Sequence, residues 1–218
     1  PCHGAIRFHQ NHSNNVALEE YRLVASRTTG YGHGIVFSER NLYPGEFFVV
    51  EVEENDHGWL GYLRFGLTQF DPMDYAPNHL ALSQEDADLY RFGTTWLYAI
   101  SELLYPLEDY EESSWPLVVD ENKVHVSENF IRTCCGSYAR RPFCLSDDED
   151  DRPTLKVGNK IGVVYIPNSE NLAELYYAVN GNIFGPYATN IPYRKSPLFA
   201  VADIYGKTKK IRVLPLTL

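Results

Sequence analysis

Along much of the chain, apolar and polar positions alternate with a period of two. Phe48, Val50 and Val52 alternate with Val49, Glu51 and Glu53, and Leu63, Phe65 and Leu67 alternate with Tyr62 and Arg64. Successive side chains of a strand point to opposite faces, so each run predicts a strand with one buried face. The same reading puts Trp96, Tyr98 and Ile100 on one face of a strand over 94–100, and Ile161, Val163 and Tyr165 on another. Leu175, Tyr177 and Val179 run into Asn180-Gly181 and then Ile183-Phe184. Asn-Gly between apolar runs predicts a type I′ hairpin, whose two central residues both need positive φ. Residues 34–38 form a short apolar strand entered through Gly30-Tyr31-Gly32-His33, and Tyr43-Pro44-Gly45-Glu46 is a turn. Asn55-Asp56-His57-Gly58 turns the chain into 59–68, and the simplest topology makes the strands on either side adjacent and antiparallel. Residues 199–204 and 210–214 close the chain as a last hairpin through Tyr205-Gly206. About a dozen short strands without a strong helix predict an all-β, antiparallel β-sandwich.

The middle of the chain breaks this rhythm. Residues 69–81 read as loop, 85–90 as a brief helical turn, and 101–159 as an irregular acidic insertion. Within the insertion, Leu117-Val118-Val119 and Lys123-Val124-His125-Val126 predict a hairpin, and Asp147-Asp148-Glu149-Asp150-Asp151 a solvated like-charge run. The insertion holds too little apolar surface for a core of its own, so residues 1–218 are expected to form a single domain.

Composition supports strands: the 218 residues include 16 Tyr, 11 Phe and 3 Trp but 1 Met. A net charge of -10 repels a phosphate backbone, so a nucleic-acid partner is not expected. No apolar run approaches the roughly 20 residues that span a bilayer. The four cysteines form no C-x-x-C pair, which points to a reducing compartment and a cytoplasmic location. No cofactor or metal is expected. His9 and His12 on a strand would face opposite sides, and the acidic run lacks the glycine and spacing of a calcium loop. No catalytic residue is assigned, since Gly136-Ser137-Tyr138 is no nucleophile elbow and nothing flags a base for Cys134 or Cys135.

The candidate chemistry is that of recognition. If 28–33 and 55–57 lie at one end of the sandwich, Arg27, Tyr31, His33, Asp56 and His57 can line a shallow surface for an extended peptide, joined by Trp59 and Arg64. Ordinary turn chemistry is the alternative for each residue, and close strand approach the alternative for Gly61 and Gly66. Lys207, Lys209, Lys210 and Arg212 form a basic hairpin, suited to an acidic partner or anionic lipid, or else to lysine protection of a sheet edge.

Several blocks share one resemblance. They are Phe8-His9, Asn15-Val16-Ala17-Leu18, Ala25-Ser26-Arg27, residues 34–38, residues 59–68 followed by Asp71-Pro72, Asn180-Gly181 and residues 200–206. In order and spacing they resemble the neuralized homology repeat. That resemblance implies a β-sandwich of the SPRY-like kind and a non-catalytic domain that binds short linear motifs of substrate proteins for a ubiquitin ligase. One branch, which Tyr31-Gly32-His33-Gly34, residues 95–100 and residues 117–120 resemble most, joins this domain to a C-terminal SOCS box. The resemblance thus implies elongin B/C and a cullin as partners, through a segment beyond Leu218. The acidic insertion departs from the family pattern. A carbohydrate-binding or hydrolytic jelly roll and an anionic-lipid module stay open as rival readings.

Overall fold

The structure is a computed structural model that describes residues 6–58, 61–75, 94–100 and 155–215, and the backbone of four strands between 117 and 140. In chain order its strands are β1 (Val16–Glu19), β2 (Val24–Arg27), β3 (Ile35–Phe37), β4 (Phe48–Asn55) and β5 (Arg64–Thr68). There follow β6 (Thr95–Ala99), β7 (Leu117–Val119), β8 (Val124–Val126), β9 (Phe130–Thr133) and β10 (Gly136–Arg140). The last are β11 (Lys160–Pro167), β12 (Ala173–Val179), β13 (Asn182–Ile191), β14 (Phe199–Asp203) and β15 (Thr208–Val213). Among the described residues they form two sheets. The larger runs β1-β2-β15-β4-β11-β12-β13-β10-β9-β8-β7, the smaller β3-β14-β5-β6.

The period-two expectation holds where it was sharpest. Phe48, Val50 and Val52 are buried while Val49, Glu51 and Glu53 are half-buried. Inward faces of both sheets meet in one core that includes Phe8, Phe48, Phe65 and Tyr177. Rings pack at a tilt across the layers, Phe48 to Phe65 at 6.2 Å and Phe65 to Tyr177 at 6.5 Å between centroids. Burial of each phenylalanine contributes about 1.5–3 kcal/mol. The Tyr177 hydroxyl donates to the Phe65 carbonyl, which satisfies the phenol without interrupting the apolar layer. β12 and β13 turn through Asn180 and Gly181 at φ 48° and 85°, as a type I′ hairpin requires. Glu46 N–H donates to Tyr43 O at 2.9 Å, closing the Pro44-Gly45 turn with Gly45 at φ 75°.

Two connectivity expectations fail. β4 and β5 are not neighbours: β4 pairs with β11 and β15, whereas β5 pairs with β14 and β6. Likewise β14 and β15 make no hairpin, because they belong to different sheets. Side-chain alternation reports which face of a strand is buried, and that signal is identical for both layers of a sandwich. It carries no information on whether a turn reverses within a sheet or steps about 10 Å across to the other.

The insertion is more regular than expected. β7 and β8 form the anticipated hairpin, β9 and β10 add to it, and β10 joins the larger sheet parallel to β13. Within the expected loop at 69–81, Asp71 accepts from Met73 N–H at 2.9 Å and caps a 3₁₀ turn over Pro72–Asp74. Phe70 and Tyr75 then pack on the outer face of the smaller sheet with Phe37, Leu97 and Val201. Trp59, the 85–90 segment, Cys134-Cys135 and the 147–151 acidic run lie outside the described residues.

Candidate functional site: three sheet crossings at one end

Three connections step between the sheets at the same end of the sandwich: 28–34 from β2 to β3, 56–63 from β4 to β5, and 204–207 from β14 to β15. They bond to one another through the backbone. Gly206 N–H donates to Tyr31 O at 2.8 Å, Asp56 N–H to Lys207 O at 2.6 Å, Lys207 N–H to Gly61 O at 2.9 Å, and Ile204 N–H to Gly34 O at 2.9 Å. Such close main-chain approach needs glycine at two positions. A Cβ at Gly34 would overlap the Ile204 backbone, and one at Gly206, where φ is +60°, would overlap Gly61.

Arg27 at the end of β2 clamps the set. Its side chain is 1% exposed, and Nη2 lies 2.8 Å from Gly206 O, 3.2 Å from Thr208 O and 3.3 Å from Asp56 Oδ2. The guanidinium sits 5.4 Å from the Tyr31 ring centroid. Burial lowers its proton affinity, and the charges of Asp56 and Asp203 oppose that shift. Expected as a surface contact, Arg27 is instead a buried clamp, because two carbonyls and a carboxylate converge where the sequence showed only a strand end. Asn15 performs a similar service for the first crossing: Nδ2 donates to Thr29 O at 2.7 Å and Gly32 O at 2.8 Å, and Oδ1 accepts from Thr29 N–H at 2.9 Å. Its role has no local sequence signal, since it acts on residues thirteen to seventeen positions away.

The other expected residues gather around this clamp. Tyr31, 36% exposed, donates its hydroxyl to His57 O at 3.1 Å, which ties the first crossing to the second. His57 is exposed, as is His33, which holds a left-handed φ of 58° beside Gly34. Arg64 lies a layer deeper. Its guanidinium stacks 4.0 Å from the Tyr205 ring centroid and pairs at 3.6 Å with Asp203, whose other oxygen accepts from Gly34 N–H at 3.0 Å.

The basic hairpin divides. Lys207 belongs to the crossings, with Nζ 5.6 Å from the Tyr62 ring centroid. Lys209 pairs with Glu54 at 2.7 Å, Lys210 with Glu19 at 3.1 Å, and Arg212 with Glu20 at 2.6 Å and also with Glu53. Hydrogen bonds donated to Glu54 and Glu20 raise the proton affinity of Lys209 and Arg212. Each of these three cations already has a glutamate of a neighbouring strand or turn as partner, so an acidic protein or anionic lipid there would compete with a resident acid. The edge-protection reading is corrected: β15 lies inside the sheet between β2 and β4. Tyr62 and Tyr205 were missed as members of this end. They lie beside crossings that read as hairpin turns.

His9 is buried, and its Nδ1 accepts from Asn11 N–H at 3.0 Å. No cluster of three or more His, Cys, Asp or Glu with metal-binding geometry occurs among the described residues, nor does a helix long and apolar enough to cross a membrane.

Comparison with known proteins gives this arrangement its family. The Neuralized family model matches residues 8–215, a span that contains all three crossings. The chain belongs to the neuralized family. It is 31% identical to human Neuralized-like protein 2 across 96% of its own length and 77% of that protein's. It is 39% identical to the mouse E3 ubiquitin-protein ligase NEURL3, again over 96% of its length and 61% of the relative's. In three dimensions it matches the crystal structure of the Drosophila melanogaster neuralized NHR1 domain with a TM-score of 0.61 at 21% identity, covering 96% of this chain and 98% of that one. The expected sandwich and the expected family are both established for this neuralized domain.

Proposed function

We propose that this neuralized domain is the substrate-recognition unit of a ubiquitin ligase, and that it holds a short segment of another protein against the three-crossing end. The observation that carries the reading is the Arg27 clamp. It immobilises three irregular connections that display Tyr31, His33, His57, Tyr62, Tyr205 and Lys207 around it. Loops held still by a scaffold bind at a lower ordering cost than free loops. By its place in the sequence, directly after the Asn55–Gly58 turn, Trp59 is proposed as a further binding anchor, together with Arg64 and Asp56. Ligase membership is supported by the relative named E3 ubiquitin-protein ligase NEURL3. The domain contributes proximity rather than bond chemistry, presenting substrate lysines to a loaded conjugating enzyme. Elongin B/C and a cullin, engaged through a segment outside residues 1–218, supply that machinery in the cytoplasm.

Partner capture tests the proposal. Proximity labelling with the wild type, Tyr31→Ala, His57→Ala and Trp59→Ala should show the same partners lost from all three variants. Tyr21→Ala, at the opposite end of β2, should keep them. Retention of every partner by three folded crossing-end variants would place recognition elsewhere. Co-purification of elongin B/C with the full-length protein tests the ligase arm separately.

A further inference from the structure

We infer that the segment held at the crossing end is acidic, and that it sets an aspartate or glutamate side chain against Lys207. This rests on the reading that the end binds a protein segment, and it names the chemistry of that segment.

Among the described residues, charges at the crossing end are paired with one exception. Around the crossings, Arg27 faces Asp56, Arg64 faces Asp203, and Lys209 faces Glu54. Further along β15, Lys210 and Arg212 have Glu19 and Glu20. Lys207 is the exception: among the described residues its ammonium has no carboxylate within salt-bridge distance and faces only the Tyr62 ring. Among the described residues Lys156, Lys160 and Lys195 also form no salt bridge, so what sets Lys207 apart is its place at the crossing end, where its neighbours Arg27, Arg64 and Lys209 are all paired. Nor is Lys207 loosely placed. Its N–H donates to Gly61 O and its carbonyl accepts from Asp56 N–H, so both faces of its backbone are tied into neighbouring crossings. A half-buried lysine with a tied backbone and its ammonium over a tyrosine ring favours an incoming carboxylate. The ring partly shields the pair from water, and no resident acid must be displaced. The exposed His33 and His57 add donors and no negative charge. A basic segment would meet Lys207 with repulsion, and the acids nearest it among the described residues, Asp56 and Glu54, are already engaged by Arg27 and Lys209.

A displayed library of random twelve-residue peptides, panned on the whole 218-residue chain, tests this. Selected peptides should share an Asp or Glu at a fixed position. The strongest of them should bind Lys207→Glu about tenfold more weakly than wild type at about 0.05 M salt, with the gap shrinking at about 0.5 M. Panning on Lys207→Glu should turn the preference toward Lys and Arg. Lys195→Glu, an exposed site on the connection before β14 at the other end, should bind as wild type. Selected peptides without a common acid, or equal affinity for Lys207→Glu, would overturn the inference while leaving peptide recognition intact. Folded wild-type protein that selects no peptide at all would overturn the proposed function as well. Lys207-dependent binding to phosphatidylserine vesicles in place of peptides would likewise exclude an acidic segment.

Discussion

The two ends of β2 solve the same problem with opposite chemistry. At its C-terminal end, backbone segments touch through glycine and are clamped by a guanidinium that is 1% exposed. At its N-terminal end, the β1–β2 turn passes through Glu20, Tyr21 and Arg22 at φ 48°, 57° and 67°. Three non-glycine residues in the left-handed region cost about 1–2 kcal/mol each. What holds them there is largely exposed: Arg212 on Glu20 at 2.6 and 2.8 Å, Arg22 on Glu39 at 3.1 Å, and the Phe8 N–H to Arg22 O bond at 2.9 Å. Tyr21 projects from this turn with 86% of its surface exposed. Hydrogen bonds from a buried cation keep their strength in salt, whereas solvent-facing ion pairs are screened. The contrast teaches that the crossing end is built to stay put under changing conditions, and the hairpin end is a strained structure held by surface charge.

The largest expected effect breaks the tight end. Gly34→Val drives a branched side chain into the Ile204 backbone and should cost about 3 kcal/mol or more in urea unfolding. Arg27→Met strips the donor from the Gly206 and Thr208 carbonyls and should cost about 2–3 kcal/mol. Amide exchange at 28–34 and 204–208 should rise in that variant more than in β11 and β12. If exchange rises uniformly, the clamp acts on the whole sandwich and the two ends are not independent.

At the hairpin end the sign reverses: Tyr21→Gly removes a left-handed penalty and should stabilise by about 1 kcal/mol. Acid should also tell the ends apart. Burial holds the His9 imidazole below the ordinary value of 6.5, so its contribution is complete above that pH and is lost as pH falls through the lowered value. Hydrogen bonds from Arg212 and Lys210 hold the Glu20 and Glu19 carboxyls below 4.5, so their support fades lower still. Proteolysis on acidification should therefore begin near residues 19–23, and cleavage first at 55–62 would contradict the contrast. The smallest effect is that of Glu20→Gln: a slight loss of thermal stability at low salt that vanishes at about 0.5 M.

Strand faces, the Asn180-Gly181 hairpin, the Tyr43–Glu46 turn and the family were legible in the sequence, because each depends on residues within a few positions of one another. So was the meeting of the 28–33 and 55–57 loops, although it was reached through a strand pairing that does not exist. Tertiary structure alone decided which sheet each strand joins, since alternation looks alike in both layers. It alone buried Arg27, whose acceptors lie as far as 179 and 181 positions along the chain. And it alone separated Lys207 from Lys209, Lys210 and Arg212. Four neighbouring cations look equivalent in one dimension, and only the glutamates brought in by β1, β4 and the turn after β1 distinguish them. Local pattern sets backbone conformation and burial through short-range sterics and solvation, whereas charge pairing and layer membership depend on contacts between residues distant in the chain.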